Sequence, residues 1–425
     1  VDIDAASWVA AGLTDPLRHQ RDRGTSAVTQ AVGRPDNGTW VADPDLDPAT
    51  ITQLRGSGVD QLVVPETSLA PVSPNSFPAD LTRPFKILSD ANGPTPTVQI
   101  DQNLREALTR DADPLLDAHR ILAELAVVAF AQDGAPGGVV LSPPDGWHPS
   151  STLLDELLHD LGTTNPLMAP STVNDLFTLP PAAANGATGA GGAGGADLVR
   201  TLTPQAAPGL GAYPDELSHA ETQLNSYASM AGPLTSRPGR YATPVDVSGA
   251  KQLNAAQQLR YLDVVQRSLD KLFRRITAPA KERVTLGARD AQIPLTVRST
   301  LAYPVHVVVQ LDASNRLSFP EGTSVPWELV SGRNRILIRI RAPVSGDTPL
   351  RVRIMSADGG VQLGEIRYTV RSTAVSGVGL LLTIGAAAFL VIWWARHWRD
   401  SRKHGRHGRP TNGRTAPAAP PAPSS

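Results

Sequence analysis

The 425 residues exceed what one ordinary core accommodates and imply two or three domains. Lys and Arg number 39 against 40 Asp and Glu, so the chain lacks the basic excess that whole-chain nucleic-acid binding requires. With no cysteine, disulfides, thiol catalysis and cysteine-ligated zinc or iron–sulfur sites are excluded.

The chain opens on Val1 without the basic region, apolar core and small-residue cleavage site of a leader, which predicts further sequence upstream. Residues 1–180 then alternate strand and helix signals. TWVA at 39–42 reads as a strand, ATITQLRG after Pro48 as a helix, VDQLVV at 59–64 and FKIL at 85–88 as strands, and 98–108 as a lead into a helix. A long helix over 113–131 opens on DADP and carries Leu115, Leu116, Ile121, Leu122, Leu125 and Val128 at helical spacing. VVL at 139–141 is a strand, and 151–161 a helix with a serine cap. Strand–helix–strand alternation implies parallel strands with crossover helices.

An Ala/Gly/Pro-rich linker over 181–212, beginning in PPAAANGATGAGGAGGA, has too few apolar side chains to pack. The helical region 213–280 reads as a hairpin of two helices, Tyr213–Ala231 and Gly249–Ile276, the second with Leu253, Leu259, Leu262, Val265, Leu269, Leu272 and Ile276 on one face. Over 281–372 the period changes to two. Ile336, Ile338 and Ile340 are expected inside while Leu337, Arg339 and Arg341 face out, and Asp358–Gly359–Gly360 suits a tight hairpin turn. This patterning predicts an antiparallel, Ig-like β-sandwich.

The run VSGVGLLLTIGAAAFLVIWWA is uncharged and long enough to cross a bilayer, which predicts one transmembrane helix over 374–395. Trp393, Trp394 and Trp398 are expected at the membrane interface with Arg396 and Arg399, and the basic tail 396–425 in the cytoplasm under the positive-inside rule. The part before the helix is then extracytoplasmic, and the lipid bilayer is the first partner. The tail histidines His397, His404 and His407 read as solvated members of a basic juxtamembrane stretch.

In parallel β/α structures the working residues gather where the strands end at their C-termini. Asp43 follows the first strand, Glu66 the second, Asp90 the third, and Asp145, Trp147 and His148 the fourth. Paired carboxylates there could work as general acid and base on a glycan, with Trp147 stacked on a sugar ring and His148 beside it. The same pattern arises from helix caps and turns: Asp43, Asp45 and Asp47 all precede a helix, and Asp90 lies in DANGP. A purely binding groove is the third reading. His119 and His159 fall within helices, where a histidine packs or faces solvent. No motif asks for a metal or a cofactor: HExxH, GxGxxG before a helix, a Walker-type loop and GxSxG are all missing.

The stretch KERVTLGARDAQIPLTVRSTLAYPVHVVVQLDASNRLSF, followed by VPWELVSGRNRILIRIRA and a membrane helix ending in WWARHWR, resembles the C-terminal half of the DUF6049 family. TWVADPDLDPATITQLRGSGVDQLVVPE resembles the same family's barrel-like region, and the likeness runs over about residues 35–400. The resemblance implies an actinobacterial membrane-anchored envelope protein whose gene neighbours that of the lipid II flippase MurJ. It implies a multidomain α/β plus all-β fold: a partial (β/α) barrel-like domain over 1–180, of the glycoside hydrolase/deacetylase type, then helices and a sandwich. The function it implies is a non-catalytic scaffold or accessory factor in peptidoglycan precursor metabolism, with the flippase, other envelope proteins or cell-wall glycan as partners. The alternative is a glycan hydrolase or deacetylase working through the rim carboxylates. The family supplies no established catalytic residue.

Overall fold

A computed structural model describes residues 2–33, 38–71, 82–89, 93–109, 113–131, 136–144, 146–162, 165, 167–183, 197–203, 205–232, 237–344, 346–372 and 377–401; in the last segment it describes the side chains of 382–396 and 398. The turn at 90–92, most of the glycine-rich run and the tail beyond 401 lie outside the described residues. The chain is a mixed α/β protein with two compact units, Val1–Phe273 and Arg274–Ser425.

The first unit starts with α1 (Ala5–Ala10), α2 (Thr14–Val32), β1 (Thr39–Val41), α3 (Pro48–Gly56) and β2 (Gln61–Pro65). It continues through β3 (Phe85–Ser89), β4 (Gly93–Ile100), α4 (Gln102–Leu108), α5 (Pro114–Phe130), α6 (Ser151–Asp160), α7 (Val173–Phe177) and β5 (Val199–Arg200). Polar caps set the helix starts, satisfying backbone N–H groups that have no partner inside the helix. Asp47 accepts from the Thr50 amide at 2.7 Å, Asp101 from Leu104 at 3.0 Å, and Ser150 from Leu153 at 3.2 Å. Asp113 accepts from Leu115 and Leu116, with Pro114 in the first turn where its missing N–H costs nothing.

The sheet order is β1-β2-β4-β3-β5. β1, β2 and β4 are parallel, and Val140 adds a single parallel bridge to Ile100. FKIL departs from the all-parallel expectation: β3 runs antiparallel to β4. Three residues separate Ser89 from Gly93, far fewer than the dozen a parallel crossover needs, so only a hairpin can join them. One face of the sheet packs Val63, Val98 and Ile100 against Val140, Val173, Leu176 and Phe177. A second core joins α4, α5 and α6 through Leu104, Leu108, Ala118, Ile121, Leu125, Leu153 and Leu157.

The helical region holds three helices, not the expected two: α8 (Tyr213–Ala231), α9 (Gly239–Ser248) and α10 (Ala255–Phe273). α10 buries Leu262, Val265, Leu269 and Phe273 at helical spacing. Trp8 of α1 is 2% exposed, with its ring 6.1 Å from that of Tyr213. Gly249 lies close against that indole; a Cβ there would stand 2.6 Å from Trp8 Cζ2.

The second unit is β-rich: β6 (Ile276–Thr277), β7 (Lys281–Leu286), β8 (Asp290–Ser299), β9 (Val305–Ala313), β10 (Ser324–Leu329), β11 (Gly332–Arg341), β12 (Gly346–Ser356) and β13 (Gln362–Ser372). They form a five-stranded sheet, β10-β9-β12-β13-β7, and a three-stranded one, β11-β8-β6. Period-two burial holds: Ile336, Ile338 and Ile340 are at most 3% exposed while Leu337 is 47% exposed. Tyr368 of the larger sheet donates its hydroxyl to the Pro294 carbonyl of the smaller at 3.3 Å. The expected turn is present, with Gly359 at φ 78° and Asp358 accepting from the Gly360 amide at 3.1 Å. One pairing is not antiparallel: β7 lies parallel to β13.

The last helix, α11 (Gly377–Ser401), exposes Leu382, Ile384, Phe389, Leu390, Val391, Ile392, Trp393 and Trp394. Among the described residues no helix is long and apolar enough to cross a membrane. The segment expected to cross starts at 374–376, outside the described residues, and its described side chains begin at 382.

Gly249→Ala is expected to destabilise the first unit by about 1–3 kcal/mol, because a methyl group has to displace a fully packed indole. The denaturant midpoint followed by Trp fluorescence measures it; an unchanged midpoint would mean that Trp8 yields without cost.

Candidate functional site

The strand ends of the first sheet divide the sequence candidates. Asp43 lies just beyond β1 and accepts from Lys251 Nζ at 2.8 Å; the same ammonium pairs with Asp2 at 2.7 Å. Glu66 opens a short 3-10 turn after β2 and accepts the Gln102 amide at 3.4 Å. Asp90 and Asp145 lie outside the described residues. Trp147 donates its indole N–H to the Leu108 carbonyl at 2.9 Å and packs against the α4–α6 core, so one of its edges is committed to structure. His148 beside it is exposed.

Asp43 has company that the sequence pattern did not single out as a site. Asp45 is 9% exposed, and its Oδ2 finds no hydrogen-bond donor. Burial first, then the negative charge of Asp4, pushes its carboxyl up to about 6. Asp4 is itself held by Ser7, whose amide donates at 3.0 Å and whose hydroxyl donates at 2.5 Å. The two carboxyls of Asp4 and Asp45 thus lie near enough for the charge of one to weigh on the other.

Asp43 is raised above the usual carboxylate range by burial, which outweighs the opposing bond and charge of Lys251; Asp2 and Asp4 add repulsion. Burial works to lower the Lys251 ammonium, but its bonds to Asp2 and Asp43 outweigh it and hold it well above its ordinary value. Partners in an isolated ion pair shift in opposite directions. Here both rise: burial first, with repulsion from Asp2 and Asp4, raises Asp43, while two carboxylate partners raise Lys251.

A second polar group lies in the same sheet. Arg200 of β5 is 6% exposed, donates to Gln99 of β4 and to the Ala70 carbonyl at 3.1 Å, and lies 5.2 Å over the Phe85 ring. Burial lowers its pKa, against the opposing pull of Glu66. Elsewhere in the first unit, among the described residues, one set of side chains has the composition and spacing of a metal site: His119, Glu156 and Asp160, whose donor atoms all lie within 4.8 Å of one another. In α11, Trp393 and Arg396 are exposed, Trp394 and Trp398 stack at 5.5 Å between ring centroids, and Arg399 sits on the helix backbone, its side chain outside the described ones.

No curated protein matches the chain. Solved structures that match part of it include the native α2-macroglobulin of E. coli, at 20% identity over 23% of this chain and 7% of that one, with a TM-score of 0.18. The C. elegans MSP-family protein WR4 matches at 12% identity over 21% of this chain and 92% of that one, with a TM-score of 0.17. The N-terminal domain of PorA matches at 14% identity over 24% and 92%, with a TM-score of 0.20. Likeness at this level carries no argument about activity. The sequence profile of DUF6049, described as a family of unknown function, matches residues 2–399.

Two substitutions probe the cluster. The native-state pKa of Asp45, about 6, lies above that of an unfolded carboxyl. The native state therefore holds an extra proton between about pH 4 and 6, and the stability this confers is present at low pH and lost as pH rises through 6. Asp45→Asn, which cannot ionise, should raise stability at pH 7.5 by on the order of 1 kcal/mol or more and change little at about pH 3.5, below the unfolded pKa, read from denaturant midpoints. An equal shift at both pH values would overturn this. Lys251→Met leaves Asp2 and Asp43 without their shared cation and should cost about 1–3 kcal/mol at pH 7.5 by the same measurement.

Proposed function

The chain belongs to the DUF6049 family, and from that premise we propose that it is a single-pass membrane protein of the cell envelope. In this reading it works as a non-catalytic scaffold or accessory factor in handling the lipid-linked peptidoglycan precursor. The observation that carries the reading is α11. Its described side chains from Leu382 to Trp394 expose large apolar groups to solvent, a surface that water does not tolerate and that lipid covers at no cost. Residues 375–395 cross the bilayer, Trp393, Trp394 and Trp398 lie at the interface with Arg396 and Arg399, and the basic tail is cytoplasmic. The preceding sheets belong outside: a partial (β/α) barrel-like domain, then an Ig-like sandwich. The fitting partner is a membrane protein of precursor export such as the lipid II flippase.

The state of the rim supports a non-catalytic role. Asp43 is held by Lys251, Asp47 and Asp101 cap helices, and Trp147 is tied to Leu108. A second reading, a glycan hydrolase or deacetylase, is favoured by one observation: burial and the charge of Asp4 push Asp45 up to about 6, toward the range in which a general acid works.

Two outcomes separate them. The full chain should stay in the carbonate-washed membrane fraction, and Ile384→Arg with Phe389→Arg should release it, since each arginine at mid-membrane costs about 2.5–3.5 kcal/mol; an unchanged distribution would sink the anchor. In cells lacking the gene, a chain with Asp43→Asn, Glu66→Gln, Asp90→Asn and Asp145→Asn should restore growth fully. Failure of that chain at normal abundance, or of Asp45→Asn alone, would favour the enzyme.

A further inference from the structure

α5 and α6 pack side by side through Ala118 and Ile121 on one and Leu153 and Leu157 on the other, all at most 5% exposed. The residues flanking this seam place His119 next to Glu156, with Nε2 4.0 Å from Oε1, and Asp160 one turn further along α6. The three donor atoms lie within 4.8 Å of one another. A divalent transition metal binds imidazole nitrogen and carboxylate oxygen at about 2.0–2.2 Å, so its donors stand roughly 3–3.5 Å apart. Small side-chain rotations of partly exposed groups close that gap, and the packed seam keeps the backbones in place.

The electrostatics point to a cation independently of the spacing. Asp160 is the last residue of α6 and Glu156 lies one turn before it, at the helix end whose partial charge is already negative. Among the described residues no lysine or arginine pairs with either carboxylate. The basic residue of that turn is His159, which is exposed. Two carboxylates at the wrong pole of a helix, facing an imidazole across a rigid seam, make a charge arrangement that a divalent ion neutralises. One nitrogen and two oxygens suit Zn²⁺ over Mg²⁺ or Ca²⁺, which prefer all-oxygen sites.

We propose that His119, Glu156 and Asp160 form a zinc-class metal site that staples α5 to α6 and leaves at least one coordination position open. The open position follows from three protein ligands on a four-coordinate ion and gives the site room for water or an anionic ligand.

The test uses the full chain with a histidine-free tag, in a background where His397, His404 and His407 are changed to Gln so that the tail cannot contribute. Competition against a chromophoric zinc chelator should show one equivalent of zinc. His119→Ala should lose it, and Glu156→Gln and Asp160→Asn should each weaken it by about tenfold or more. A hundredfold excess of Mg²⁺ or Ca²⁺ should not displace it. Against its own metal-free melt, the background chain should gain more Tm on zinc addition than any of the three variants. Should His119→Ala fail to fold, the two carboxylate variants decide. Zinc affinity in the variants equal to the background, no zinc bound by the background chain, or displacement by Mg²⁺ or Ca²⁺ would each overturn the proposal.

Discussion

The ammonium of Lys251 joins parts of the first unit that are far apart in sequence. It bonds Asp43 beyond β1 and Asp2 ahead of α1, while its own backbone amide donates to the Asp2 carbonyl at 2.9 Å. The helical region and the β1 loop thereby meet at one half-buried charge. Without that cation, Asp2 and Asp43 would lose the ammonium they share. Within a few residues Gly249 brings its backbone against Trp8, which packs on Tyr213. Ion pair and indole together hold α1 against α8 and α9.

The acidic pattern along the first sheet has two physical origins. Asp47 and Asp101 take the amides of their own helix starts, and this capping is local. Asp45 is different. It stands two residues before a cap, yet its side chain is buried against Asp4 instead of bonding a helix N-terminus. A raised carboxyl pKa is a cost to folding at neutral pH, and such costs cluster where chemistry or recognition needs them. The same residue therefore gives the enzymatic reading its one physical foothold, while the bonded state of its neighbours favours a scaffold.

The proposed metal site lies elsewhere: on the α5–α6 seam, built from residues that taken singly look like ordinary helix-surface side chains. His119 lies on one helix and its partners on another, so no spacing along the chain reveals the set. Its logic is that of the Lys251 cluster, carboxylates gathered around a cation, except that there the protein supplies the cation and here it does not.

Local rules made much of the fold legible. Helix starts at Asp47, Asp113 and Ser150 follow from capping, strand faces at 336–340 from period-two alternation, and the turn at 358–360 from glycine's access to positive φ. Each depends on residues within a few positions of one another. FKIL was legible as a strand but not in its direction, which the short link to β4 imposes, and the parallel β7–β13 pairing and the third helix at 239–248 were not legible. The candidate site divides in the same way. Asp43 and Glu66 could be placed at strand ends from the sequence. The Lys251 bridge, the Asp4–Asp45 pair, the buried Arg200 and the His119–Glu156–Asp160 set join residues tens to hundreds of positions apart. The sequence by itself determined many of the segments, among them the helices opening at Pro48, Pro114 and Ser151 and the strands over 281–372, because those follow from local hydrogen bonding and periodic burial; the helices over 5–32 and the strand at 93–100 were not read from it. Only tertiary structure decided which charges meet, because burial and electrostatic pairing depend on distance in space.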